Sequence, residues 1–134
     1  MTASTAHPDF HVENVVDGIY GPDKCLAFFH SDMFQMEQWL RIDFGGWKHA
    51  QFVEIHNRDH IETQYRISNS EIYIYGETPT ENRQLCAKII DGNHLVFYLP
   101  CVKTLYGKGM ELYYPPYDNA PRILHVCEII VLGY

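Results

Sequence analysis

The chain ends on RILHVCEIIVLGY, Arg122 to Tyr134, its longest apolar run. The run is too uniformly apolar for a strand with one face in water, and it falls short of the roughly 18–20 residues that cross a bilayer as a helix. It reads as a central β-strand buried on both faces. Such a strand needs partners, and the rest of the chain offers them. WLRIDFGG sets Leu40, Ile42 and Phe44 against Arg41 and Asp43 and stops at Gly45-Gly46. FVEI turns Val53 and Ile55 to one face, EIYIYG sets Ile72 and Ile74 against Tyr73 and Tyr75, and HLVFYLP and GMELYYPP follow. Period-two alternation broken by turn residues is the pattern of antiparallel sheets. Only DMFQMEQWL has helical spacing, through Met33, Met36, Trp39 and Leu40, and it is expected to make a short helix or 3₁₀ turn at most. The expected architecture is all-β, a sandwich or jelly roll whose loops at one end carry the function.

At 134 residues and 46% hydrophobic content the chain is expected to form one domain, spanning 1–134, with a single core. Its 10 Tyr, 7 Phe and 2 Trp favour strands over helices. The net charge of -7 argues against nucleic acid, which needs a basic stripe to displace counterions, and against an anionic membrane surface. No transmembrane segment is expected. The opening MTASTAHPDF lacks the basic start and apolar middle of a signal peptide, and there is no N-x-Ser/Thr sequon.

The four cysteines, Cys25, Cys86, Cys101 and Cys127, include no CxxC pair, which disfavours structural zinc. They suit either two disulfides, with three pairings open, or four buried thiols in a reducing compartment. Oxygen donors gather early, at Asp9, Glu13, Asn14, Asp17 and Asp23, and Glu128 stands inside the apolar terminal run. A carboxylate there needs a cationic partner, and a fold that brings Glu128 to Asp17 would make a calcium site. Catalysis has little support: there is no G-x-S-x-G, no H-E-x-x-H and no phosphate-cradling glycine loop, so no enzyme is expected. HNRDHIETQYRI, His56 to Ile67, concentrates hydrogen-bonding side chains at a strand end. Its histidines, His56 and His60, flank Arg58, which would repel a metal ion, so they are read as surface residues. Arg58 and Arg66 offer rigid forks of donors that suit vicinal hydroxyls, although either can equally neutralise Asp59 or Glu62 at the surface.

Taken in order, these pieces resemble the F-type lectins (fucolectins), a jelly-roll family of the galactose-binding, discoidin-like group. NVVDG resembles the family's calcium-binding segment, and HSDMFQMEQWLRIDFG the stretch that runs from the binding-site histidine into a strand. VEIHNR resembles the strand that delivers the first sugar-binding arginine, and YRISNSEIYIYG the second arginine with the strand after it. LCAKIIDGNHLVFYLPC resembles a hairpin closed by a disulfide, and LHVCEIIVLGY the terminal strand with its Cys-Glu pair. The resemblance covers nearly the whole chain.

It implies a secreted, calcium-containing, non-enzymatic lectin that binds fucose or a related glycan. The implied sugar residues are His30, Arg58 and Arg66. The implied disulfides are Cys86–Cys101 and Cys25–Cys127, the latter closing a loop of about 100 residues and stabilising by up to about 4–5 kcal/mol in the chain-entropy model. The implied calcium ligands are the carbonyls of Asn14, Ile19 and Cys127 and the carboxylates of Asp17 and Glu128. The chain departs from the family between Asp59 and Tyr65, where the vicinal Cys-Cys that packs on fucose is missing. Ile61 or Tyr65 is expected to supply that apolar surface. Two other readings keep the fold: a degraded sugar site with loops that bind a protein or membrane, for which an exposed Leu26, Phe28 and Phe29 in CLAFFH would be the mark, and a carbohydrate-binding module excised from a larger enzyme. A homo-oligomer would suit a lectin through multivalency.

Overall fold

The computed structural model describes residues 2–3, 29–30, 38–57, 64–115 and 125–133, for residues 29 and 30 the backbone only. The strands, in chain order, are β1 (Thr2–Ala3), β2 (Phe29–His30), β3 (Gln38–His56), β4 (Glu71–Tyr75), β5 (Gln84–Lys88), β6 (Val96–Tyr114), β7 (His125–Val126) and β8 (Glu128–Gly133). Two 19-residue strands, β3 and β6, pair antiparallel along their length and organise the rest. The main sheet runs β1-β3-β6-β4-β5, with β8 on the later half of β3, and β2 pairs with β7 separately. All pairings are antiparallel, and the fold is the expected all-β one. Among the described residues no helix is long and apolar enough to cross a membrane.

Two irregularities let β3 serve both halves of the fold. Asp43 faces Gly109 and Lys48 faces Gly107, so residues 44–47 stand opposite Lys108 alone. Gly45 takes φ +76° there and donates its N–H to Asp43 Oδ1 at 2.7 Å. That backbone state is strained for any residue with a Cβ, so Gly45-Gly46 marks a bulge inside a strand rather than its end. A second shift, between Ala50 and Phe52, changes which side chains point inward. Before it, Leu40 lies in the core beside Leu112 and Ile72; after it, Val53 and Ile55 do, beside Phe97 and Ile129. An inserted residue moves every later side chain to the other face, which is how one strand feeds a core on both sides of the bend.

Tyr75 departs from the expected alternation. Period-two alternation puts it with Tyr73 on the polar face, but it is 6% exposed and burial raises its phenol pKa. The space it fills is made by glycines across the sheet. A Cβ on Gly109 would lie 2.2 Å from its ring, and one on Gly107 would lie 2.4 Å from its carbonyl oxygen. The second contact is with backbone and cannot swing away. Gly107→Ala is therefore expected to destabilise the domain by about 1–3 kcal/mol. Chemical denaturation checks this, and an unchanged midpoint would contradict it.

The terminal run also differs from expectation. It divides at Cys127 into β7 and β8, and among the described residues β8 pairs with β3 on one side only. Its far end is open to solvent, with Leu132 48% exposed. Burial is complete only over residues 125–129 and does not extend along the whole apolar run. In DMFQMEQWL, the described part, Gln38 to Leu40, belongs to β3, with Gln38 and Leu40 buried and Trp39 between them half-buried. Strand pairing there overrides the helical spacing. The disulfide Cys86–Cys101 joins β5 to β6 as the resemblance implies. Cys127 is disulfide-bonded, and its expected partner Cys25 lies outside the described residues.

Candidate functional site

Several expected site residues meet at one end of the fold. β3 ends at His56, whose carbonyl accepts the N–H of Cys127 at 2.8 Å. Cys127 follows β7, which pairs with β2 so that His30 faces His125. Glu128 opens β8 opposite His56. Thus the backbone that carries His30, the Cys127-Glu128 pair and the strand end that leads into Arg58 come together. Asn14, Asp17, Ile19, Cys25, Arg58, Ile61, Leu26 and Phe28 lie outside the described residues.

Asn57 holds the site's second element. Its side chain is buried, 1% exposed, and its amide nitrogen reaches the carbonyls of Gln64, Gly92 and His94 at 3.0, 3.1 and 3.2 Å. Three carbonyl oxygens around one atom require a donor, which fixes the amide's orientation. The Asn57 N–H also donates to Leu95 O at 2.7 Å. One residue thereby ties the end of β3 to the 3₁₀ turn Gln64–Ile67 and to the loop before β6. Ile67 anchors that turn in the core at 0% exposure. Ser68 Oγ accepts the Gly92 N–H at 2.7 Å, and a Cβ on Gly92 would sit 2.7 Å from Ser68, so the two loops are in close contact. Asn69, at φ 67°, turns the chain back, and its N–H donates to Ile89 O at 2.7 Å. In the same loop, Asn93 donates its backbone and side-chain N–H to Asp91, holding that carboxyl below its usual pKa.

The turn is rigid, but its tips are open. Tyr65 is 54% exposed. Arg66 is half-buried, and among the described residues it has no hydrogen-bond or ion-pair partner. Its fork of donors is not spent on a carboxylate among the described residues; Asp59 and Glu62, the partners its sequence context allowed, lie outside them.

His56 corrects the surface reading. It is 5% exposed, and its Nε2 lies 2.9 Å from Glu54 Oε1. Glu128, the first residue of β8, is also only 5% exposed. A carboxylate that far from water needs a cation or donors around it, so its burial fits the ligand role the resemblance implies. Among the described residues no group of three His, Cys, Asp or Glu side chains forms a metal cage. Asn14, Asp17 and Ile19, three of the expected ligands, fall outside them. The sequence reading missed Asn57 and Gly92. The available signal for Asn57 was a polar side chain at the end of a strand just before an arginine, and for Gly92 the turn Asp91-Gly92-Asn93.

No family model matches this chain, and no curated relative matches it. Solved structures do. The chain superposes on a fucose binding module of Streptococcus pneumoniae with a TM-score of 0.81 at 22% identity, covering 99% of this chain and 92% of that one. It superposes on a fucolectin from the serum of the striped bass, Morone saxatilis, with a TM-score of 0.80 at 23% identity, covering 98% of this chain and 45% of that one. It superposes on the lectin domain of lectinolysin, solved with the Lewis B antigen, with a TM-score of 0.80 at 15% identity, covering 99% of this chain and 91% of that one. These likenesses establish the fold: a jelly-roll β-sandwich of the kind found in F-type lectins.

Proposed function

We propose that this chain is a non-catalytic carbohydrate-binding domain that takes fucose or a related glycan at the end of β3. The observation that carries the reading is Arg66, without a hydrogen-bond or ion-pair partner among the described residues and held by the buried Asn57 clasp beside the strand end that leads to Arg58. Guanidinium forks suit a ring oxygen and vicinal hydroxyls, which accept from donors that cannot themselves accept. His30, whose backbone pairs beside this end, is the third proposed contact, since an imidazole can donate to or accept from a hydroxyl. Exposed Tyr65, next to Arg66, offers the apolar surface that the missing Cys-Cys pair would provide. The fold neighbours support the reading, since those with printed ligands are sugar-binding domains.

In this reading calcium is structural, held by Asn14, Asp17, Ile19, Cys127 and Glu128, and it steadies the loops without touching sugar. An oxidising, extracellular setting belongs to the same reading, supported by the Cys86–Cys101 disulfide and the disulfide-bonded Cys127. A glycan array tests the function: wild-type protein is expected to bind fucosylated or related glycans, and Arg58→Ala to lose them. No binding by either protein at high glycan density would overturn the proposal.

A further inference from the structure

The start of β3 lies far along the strand from the loop site and carries a second concentration of polar chemistry. On the outer face of the sheet Arg41, Glu111 and Tyr73 stand in register across β3, β6 and β4, and Trp39, Tyr113 and Glu71 form the next row. Glu111 is 2% exposed, and each of its oxygens takes one arginine: Arg41 Nε at 2.6 Å and Arg83 Nη2 at 2.7 Å. Arg41 lies 3.6 Å over the Trp39 ring, and Arg83 lies 3.7 Å over Tyr73 and 4.9 Å over Tyr113. Stacking and ion pairing together hold both guanidiniums in place.

A cavity of about 240 Å³ opens between them, lined by Trp39, Arg41, Thr80, Arg83, Glu111 and Tyr113. Each arginine spends one of its five N–H donors on Glu111, and among the described residues neither has another hydrogen-bond partner. The lining is uneven in charge: it carries two guanidiniums and one carboxylate, and Glu71, in the next row, does not line it. A purely structural role for Glu111 needs one cation. The arrangement has two, and both line the cavity.

We propose that this cleft is a second ligand site, independent of the loop site, that takes a single pyranose ring bearing an anionic group, a uronate or a sulfate ester. The surplus positive charge and the unspent guanidinium donors receive the anion, for which paired forks are well suited. Trp39 and Tyr113 give the wall an aromatic surface for the ring's C–H groups. The volume is below the roughly 300 Å³ at which pockets for drug-sized ligands begin, which favours one ring over a chain.

Trp39 makes the site observable. The chain has 2 Trp, and the other, Trp47, stacks on Tyr106 at 5.0 Å and does not line the cleft. In a Trp47→Phe background Trp39 is the sole indole reporter. Titration with glucuronate and with N-acetylglucosamine 6-sulfate is expected to give a saturable fluorescence change with at least one of them, and glucose none. L-fucose serves as the probe of the loop site and is expected to leave Trp39 unchanged. Thr80→Glu, an exposed change that sets a carboxylate at the rim without touching the Glu111 pairs, is expected to abolish the response at an unaltered thermal midpoint. Arg83→Gln is expected to abolish it as well. No saturable change with either acidic sugar would overturn the proposal. So would an equal response to inorganic sulfate, or one that survives Thr80→Glu.

Discussion

Asn57→Asp is expected to destabilise the domain by roughly 3–5 kcal/mol and to lower its thermal midpoint by about 10–20 °C. The change is nearly isosteric, so packing does not account for the loss. The amide nitrogen that serves Gln64, Gly92 and His94 becomes a carboxylate oxygen facing three carbonyl oxygens at 1% exposure. An ionised carboxylate there has neither water nor a donor at that position, and a protonated one can serve only one of the three carbonyls. The consequence for function is separate from the loss of stability. The 3₁₀ turn that presents Tyr65 and Arg66 is tied to β3 through this side chain, so glycan binding is expected to weaken even at temperatures where the variant remains folded. Scanning calorimetry and a binding titration below the variant's midpoint measure the two effects. A midpoint within a few degrees of wild type would show that the clasp contributes little.

Glu111→Ala is the second large effect, expected to cost about 2–4 kcal/mol. Removing the shared partner of a buried ion cluster leaves two guanidiniums facing each other across a void. Their side chains are 24% and 31% exposed, so water relieves part of the repulsion, and the expected cost lies below that of a fully buried pair. The ordering of variants is more diagnostic than any single value. Arg83→Ala still leaves Glu111 with Arg41, so it is expected to be milder than Glu111→Ala. Urea denaturation of both gives the comparison, and equal or reversed losses would mean that Glu111 is not the hub of the cluster.

How much of this was readable beforehand varies by element. Alternation placed Leu40, Val53, Ile55, Ile72 and Ile74 correctly, because a strand with one wet face writes its burial into every second residue. Cys86–Cys101 came from resemblance; spacing alone had left three pairings open. Gly45-Gly46 misled because glycines end strands and bulge them equally well. Tyr75 misled because the room for its ring is made by Gly109, more than thirty positions away in the chain. The terminal run read as one strand buried along its length, but burial is complete only over residues 125–129, and the apolar side chains run on past it to exposed Leu132. His56 is amphipathic, so only the fold decides whether it lies inside. The clasp was hidden for a related reason: the three acceptors of Asn57 come from two separate loops, and no local pattern announces them. Arg58 and Arg66 stood out as fork donors, but residue type could not say that Arg66 would find no partner among the described residues.

The central claim is that Arg66 is held ready for a sugar, and one titration tests it most directly: calorimetry of purified wild-type protein and Arg66→Ala with L-fucose, or with the strongest glycan from the array. Saturable binding by wild type, lost in Arg66→Ala at an unchanged thermal midpoint, is the expected result. Equal affinity of the two proteins would contradict the account.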